Sequence, residues 1–290
     1  MNPEIRAKLA ALGTALSPPM LQGTTALMAS LAAPRDASVE VKRDQRYGSD
    51  ERHRLDIFRK GRPAKVPVLA YVHGGGFVMG DKTRPDSPFF DNFGQWAAQR
   101  GWIGVTITYR LAPAHRWPSG PEDMSLAVRW LRGHIAEYGG NPEAIFLVGQ
   151  SAGGAHVAAY VAQTKFHVAP GTGLAGAVMT SGIYDAMTQP ANQFSDAYYG
   201  EGTAARAEAR HVEALAGSGL PLLFSVSELD PEDFQDQAMQ LAKAWHERKG
   251  RYAPMEYLAG HNHLSPAQSI GSVEDQFATR LANFVAVNSP

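Results

Sequence analysis

Apolar residues fall along the chain in two alternating rhythms. Short, almost continuously apolar runs recur at VPVLAYVH (66–73), WIGVTITY (102–109), AIFLVG (144–149), LAGAVMT (174–180) and LPLLFSVS (220–227). Most are separated by longer stretches with helical character, at 120–137, 152–163, 233–249 and 272–287, the last carrying Val273, Phe277, Leu281 and Phe284 near helical spacing. A strand apolar on both faces must be covered on both, and helices between strands supply the crossovers of a parallel sheet. The pattern predicts an α/β chain with a mostly parallel central sheet and helices on both faces.

The flanks depart from this rhythm. Within 1–37, Ile5, Leu9 and Leu12, then Leu21, Leu27, Met28 and Leu31, repeat at helical spacing, and Pro18-Pro19 breaks them, which predicts two short helices joined by a proline turn. The extended segment 54–58, bracketed by Tyr47-Gly48 and Gly61-Arg62-Pro63, pairs with 39–43 as a hairpin. Residues 184–216 are polar and alanine-rich around Phe194, Tyr198 and Tyr199 and are expected to cap the edge of the sheet. No internal repeat or low-complexity tract interrupts the chain, so 1–290 is read as one domain.

Composition narrows the chemistry. With 290 residues, 44% of them hydrophobic and 19% charged, the chain can bury a sizeable core. The net charge of −1 comes from scattered Lys and Arg against Asp and Glu, which argues against nucleic-acid or anionic-membrane partners. The sequence has no cysteine, so covalent catalysis must use oxygen or nitrogen. Residues 1–20 carry Glu4, Arg6 and Lys8 and no continuous apolar run, and a cytoplasmic location is expected by default.

The chemistry concentrates at FLVGQSAGGAHVAAYV (146–161), where a strand signal becomes a helix signal at a serine between glycines. In an open parallel sheet, loops at the carboxyl ends of strands form the ligand crevice. A strand turning sharply into a helix with Ser151 at its apex needs Gly149 and Gly153 on either side, the G-x-S-x-G geometry of a nucleophile elbow. Attack by Ser151 on a carbonyl would leave negative charge near the helix start, where the Ala152 N–H can donate. Upstream, YVHGGGFVMGD turns a strand end into His73-Gly74-Gly75-Gly76, a composition suited to exposing backbone N–H groups to an oxyanion.

A serine nucleophile needs a base and an orienting carboxylate, expected in the order Ser, acid, His. The run 220–227 leads into Glu228-Leu229-Asp230-Pro231. Pro231 holds Asp230 extended beyond the strand, which favours it over Glu228, and Asp233 and Asp236 belong to the following helix. APMEYL then leads into Ala259-Gly260-His261-Asn262-His263-Leu264, where a tight turn points the two imidazoles in different directions and leaves the choice between them open. A metal held by both histidines and a carboxylate is the weaker reading, since no further ligand cluster accompanies them. His73 is expected to brace its loop, and no cofactor is required.

HGGGF (73–77), YRLAP (109–113), GGNPEAIFLVGQSAGGAH (139–156), SELDP (227–231) and GHNHLSP (260–266) together resemble the hormone-sensitive-lipase-like carboxylesterases of the α/β-hydrolase superfamily. The resemblance implies an α/β-hydrolase fold with a small helical cap, to which 1–37 and 185–216 would contribute. It implies Ser151 as nucleophile, Asp230 as acid and His263, which precedes an apolar residue and a serine, as base, with His261 as fallback. The oxyanion donors then fall on Gly75, Gly76 and Ala152. Gln150 departs from the family pattern, which often has an acidic residue before the nucleophile.

The expected reaction is hydrolysis of small to medium carboxylic esters through an acyl-serine, with a small-molecule ester as substrate and a homodimer as the candidate assembly. Neutral imidazole as base implies that activity falls as pH drops through roughly 6 to 7. Arylformamidases share the glycine loop, elbow and D-P acid, so an aryl N-formyl amide is the nearer alternative substrate. A non-catalytic receptor on the same scaffold is the distant one, disfavoured because such a receptor is expected to lack a triad member.

Overall fold

The apolar runs lie side by side in one eight-stranded sheet in a computed structural model, which describes residues 1–168 and 171–290. The strands are β1 (Val39–Arg46), β2 (Arg54–Lys60), β3 (Val66–Val72), β4 (Ile103–Ile107), β5 (Gly140–Gln150), β6 (Gly176–Thr180), β7 (Leu222–Leu229) and β8 (Met255–Asn262), in the spatial order β1-β2-β4-β3-β5-β6-β7-β8. β1 and β2 form the expected hairpin, β2 pairs antiparallel with β4, and every later pairing is parallel. This is the mostly parallel sheet that the pattern predicts, in the α/β-hydrolase arrangement that the resemblance implies.

Successive side chains of a strand point to opposite faces, and both faces are dry here. Val68, Ala70 and Val72 of β3, with Ile145 and Leu147 of β5, pack under helices Ser119–His134, Ala152–Ala162 and Glu232–Lys249. Leu69 and Tyr71, with Phe146 and Val148, face helices Asp91–Gln99 and Phe277–Asn288. Each such buried Leu, Val or Phe contributes about 1.5–3 kcal/mol relative to exposure. Among the described residues, no helix is long and apolar enough to cross a membrane.

Two departures from the sequence reading are informative. The helix Asp91–Gln99 was not expected: its polar residues Asp91, Asn92, Gln95 and Gln99 recur at helical spacing across from Phe93, Trp96 and Ala97, but the segment is only nine residues long and offers few repeats of that period. The last helix begins at Phe277 rather than near 272. Asp275 ends the preceding turn by accepting the N–H groups of Gly271 at 2.7 Å and Ala278 at 2.8 Å, a side-chain capping arrangement that starts the helix beyond it. The N-terminal helices are Pro3–Ala11 and Pro18–Leu31, and 185–216 contains helices Gln193–Tyr199, Ala204–Glu208 and Val212–Gly217.

Histidines are enclosed by this packing. Burial pushes His73, His211 and His261 down to about 4 and His156 to about 3, from 6.5. Between those limits the unfolded chain binds protons that the folded chain excludes, so stability is full above about pH 6.5 and is lost as pH falls toward 4. Asp275, pushed up by burial, opposes this trend with a single group. Thermal unfolding followed by circular dichroism should show the melting temperature falling by on the order of 10 °C between about pH 7 and about pH 5. A flat profile across that window would show that these histidines take up protons without unfolding.

Candidate active site

β5 ends at Gln150, and the helix Ala152–Ala162 begins two residues later. The whole change of direction falls on Ser151, whose φ of 56° and ψ of −122° lie where side chains are rarely found. Such a residue costs about 1–3 kcal/mol and persists only when its surroundings over-determine it. Here the Ser151 N–H donates to the Thr180 carbonyl at 2.9 Å and its own carbonyl accepts from the Ala155 N–H at 3.0 Å. The helix also presses on the sheet: a Cβ on Gly153 would meet the Val72 carbonyl oxygen at 2.1 Å.

Three residues from three strand ends converge at this apex. The His263 Nε2 lies 2.8 Å from Ser151 Oγ, and its Nδ1 lies 2.7 Å from Asp230 Oδ1. Facing a carboxylate that only accepts, Nδ1 carries the ring proton, which leaves the Nε2 lone pair for the serine hydroxyl. Asp230 Oδ2 accepts twice more, from the Ser227 N–H and the Ser181 hydroxyl, both at 2.7 Å. Ser151, Asp230 and His263 are 8%, 1% and 3% exposed, so these contacts act with little competition from water. The Phe234 ring covers the imidazole with centroids 4.3 Å apart.

His261 and Glu228, the alternatives that the sequence offered, have other partners. The His261 Nδ1 lies 2.9 Å from Ser265 Oγ, and its lowered proton affinity keeps the ring neutral. Glu228 accepts from the Gly260 N–H at 2.6 Å and from Arg6 at 2.7 Å, contacts that lower its proton affinity. Among the described residues, no group of three or more His, Asp or Glu side chains is placed to hold a metal ion.

The glycine loop passes directly beside the serine, since a Cβ on Gly74 would lie 3.1 Å from Ser151 Cβ. Gly75 adopts φ +134°, and a Cβ there would collide with the Met79 carbonyl oxygen at 2.0 Å. Among the described residues, the N–H groups of Gly75, Gly76 and Ala152 donate to no protein acceptor. The loop is braced from behind. His73 Nδ1 donates to the Gly74 carbonyl at 2.7 Å, its ring stacks on Tyr109 at 4.4 Å, and the Tyr109 hydroxyl donates to the His73 carbonyl at 2.7 Å. Arg52 links the carbonyls of Tyr109 and Gly80 at 2.7 and 2.9 Å.

An apolar wall borders this loop. Phe77 stacks on Tyr198 with centroids 4.5 Å apart, and both belong to one buried cluster with Ala152, Ile183, Tyr199 and Phe234. Phe194 lies over Gly76, its ring 3.2 Å from where a Cβ would stand. Phe194, Tyr198 and Tyr199, the aromatics singled out in the sequence, thus gather with Phe77 on one side of the site.

Sequence reading missed Ser181, Ser227 and the partner of Gln150. Ser227 contributes a backbone N–H, which any residue but proline would supply. Ser181 gives one signal, its place just beyond the run 174–180. Gln150 is 5% exposed, and its Nε2 donates to the His263 carbonyl at 2.8 Å.

Known proteins share both sequence and shape with this chain. The "Probable carboxylic ester hydrolase LipM" of Mycobacterium tuberculosis is 36% identical over 155 residues, which are 49% of this chain and 34% of that protein. The match thus spans 24% to 34% of the length of the curated relatives. Esterase B from Lactobacillus rhamnosis superposes with a TM-score of 0.75 at 18% identity, covering 98% of this chain and 96% of that one. An esterase from the bacterial hormone-sensitive lipase family superposes with a TM-score of 0.72 at 22% identity, covering 98% of this chain and 97% of that one. Residues 69–265, which hold the glycine loop, the elbow, Asp230 and His263, match the family model described as alpha/beta hydrolase fold, and the chain belongs to that family.

Proposed function

We propose that this chain is a serine carboxylesterase that hydrolyses small to medium carboxylic esters through an acyl-serine intermediate. The observation that carries this reading is the continuous contact from Asp230 through His263 to Ser151 Oγ, at 2.7 and 2.8 Å. The esterase names of its relatives support the same substrate class. In the first step, His263 Nε2 takes the Ser151 proton as Oγ attacks the ester carbonyl, and Asp230 stabilises the imidazolium. The negative oxygen is met by the N–H groups of Gly75, Gly76 and Ala152, and the imidazolium then protonates the departing alcohol. Water activated by the same imidazole hydrolyses the acyl-serine. Every proton is held on His263, so the cycle needs no cofactor.

Residues 1–37 and 185–216 complete the reading as the cap that limits substrate size. Phe194 and Tyr198, against Gly76 and Phe77, support the second segment in this role. For the first, Thr24 accepts from Asn262 at 2.7 Å, next to His263. The reading extends to a cytoplasmic enzyme that forms a homodimer, the location tested by cell fractionation and the assembly by sedimentation.

Ser151→Ala should lower kcat on a p-nitrophenyl ester by roughly 10⁴-fold or more while keeping the melting temperature within a few degrees. Turnover surviving in that variant would remove the nucleophile from the scheme. His263→Ala should fall comparably and His261→Ala far less, and the reverse order would move the base to His261. Faster turnover of an N-formyl aryl amide than of any short ester would shift the substrate class.

Ser181→Ala deletes one of the donors to Asp230 and should reduce kcat about tenfold, with KM little changed. An unchanged kcat would mean that the Ser227 and His263 N–H groups suffice to orient the carboxylate.

A further inference from the structure

Gln150 stands where the resembling family often has an acidic residue, and its side chain is turned inward at 5% exposure. Nε2 donates at 2.8 Å to the main-chain carbonyl of His263, a partner 113 residues away in sequence. Oε1 lies against the glycine loop, within 2.5 Å of where a Cβ on Gly74 would stand. One carboxamide therefore spans from the loop carrying Gly75 to the backbone of His263, and it is rooted beside Ser151.

We propose that Gln150 is a positioning residue that fixes the backbone of His263, and that the carboxamide is required because it can donate. The proposal rests on the catalytic reading of Ser151, His263 and Asp230. A main-chain carbonyl only accepts, so its buried partner must carry a proton. An amide does so at every pH, whereas an ionised carboxylate would set acceptor against acceptor and leave the carbonyl unsatisfied. The two contacts of the imidazole depend on where the His263 Cα is held, and a displacement of about 1 Å can cost about a hundredfold in rate.

The test compares wild type, Gln150→Met and Gln150→Glu on p-nitrophenyl acetate, with active sites titrated by a fluorophosphonate so that kcat refers to competent enzyme. Gln150→Met, of similar size but without a donor, should lose roughly ten- to a hundredfold in kcat at every pH, with KM within about threefold. Gln150→Glu should show a deficit that shrinks as pH falls, because the protonated acid can donate again. An added negative charge acting only through electrostatics would raise the proton affinity of the imidazole, and the deficit would instead shrink as pH rises. That opposite trend, or Gln150→Met at wild-type kcat, would overturn the bridge while leaving the esterase reading intact. A wild type that is inert and unlabelled would overturn the catalytic reading and the bridge with it.

Discussion

The left-handed backbone of Ser151 governs the layout of the site. A strand that ends at Gln150 and a helix that begins at Ala152 leave one residue for the turn, and the resulting φ of 56° is tolerable only with the helix seated hard against the sheet. That seating removes room for any side chain at Gly153 beside the Val72 carbonyl. It also brings the glycine loop against the serine, so that backbone rather than side chain faces Ser151 at Gly74. The strain is local, of the order of 1–3 kcal/mol, while the strands and helix that hold it bury many side chains worth a similar amount each. The strained turn at Ser151 is thus held by a packed core together with its own backbone hydrogen bonds to Thr180 and Ala155.

The sheet then acts as a ruler. His73, Ser151, Ser181, Asp230 and His263 are each the first residue beyond β3, β5, β6, β7 and β8. Neighbouring strands are about 4.8 Å apart, so β5 and β8 are separated by about 14 Å. Asp230 meets His263 from the adjacent strand, but the imidazole must return across β7 and β6 to reach Ser151. A turn held by Asn262, whose side chain accepts from the Leu264 and Ser265 N–H groups at 3.3 and 3.2 Å, reverses the chain at that point. The Gln150 contact, from the far side of that gap, meets the returning segment at its carbonyl.

What the sequence disclosed follows the same division. Strands apolar on both faces were legible because burial on two sides removes the ambiguity of a half-exposed pattern, and the elbow was legible because its glycines are forced by crowding. Asp230 could be singled out because Pro231 constrains the residue before it. The helix Asp91–Gln99 was overlooked although its polar residues keep helical spacing, because nine residues give too few repeats of the period to stand out beside the strand runs. Ser181 and the partner of Gln150 escaped because the contacts reach residues 49 and 113 positions away, and nothing local in TSGIY or VGQSA records them. His261 and His263 look equivalent as residue types; what separates them is that one imidazole is aimed at Ser265 and the other spans Asp230 and Ser151.

The surroundings of Asp230 show what kind of support such a carboxylate can accept. It is nearly fully buried, and a buried carboxylate needs its lone pairs occupied. An arginine would occupy them and also cancel the charge, leaving little to favour an imidazolium on the other side. Here the contacts beyond His263 are a backbone N–H and a hydroxyl, both neutral. They satisfy the oxygens as dipoles and leave the negative charge directed at the one group that would become positive during the proposed reaction. The same logic separates Asp230 from Glu228 two residues earlier, which is already paired with Arg6 and the Gly260 N–H at the protein surface. Selection between the two acids therefore rests on the neutrality of the neighbours as much as on distance to the imidazole.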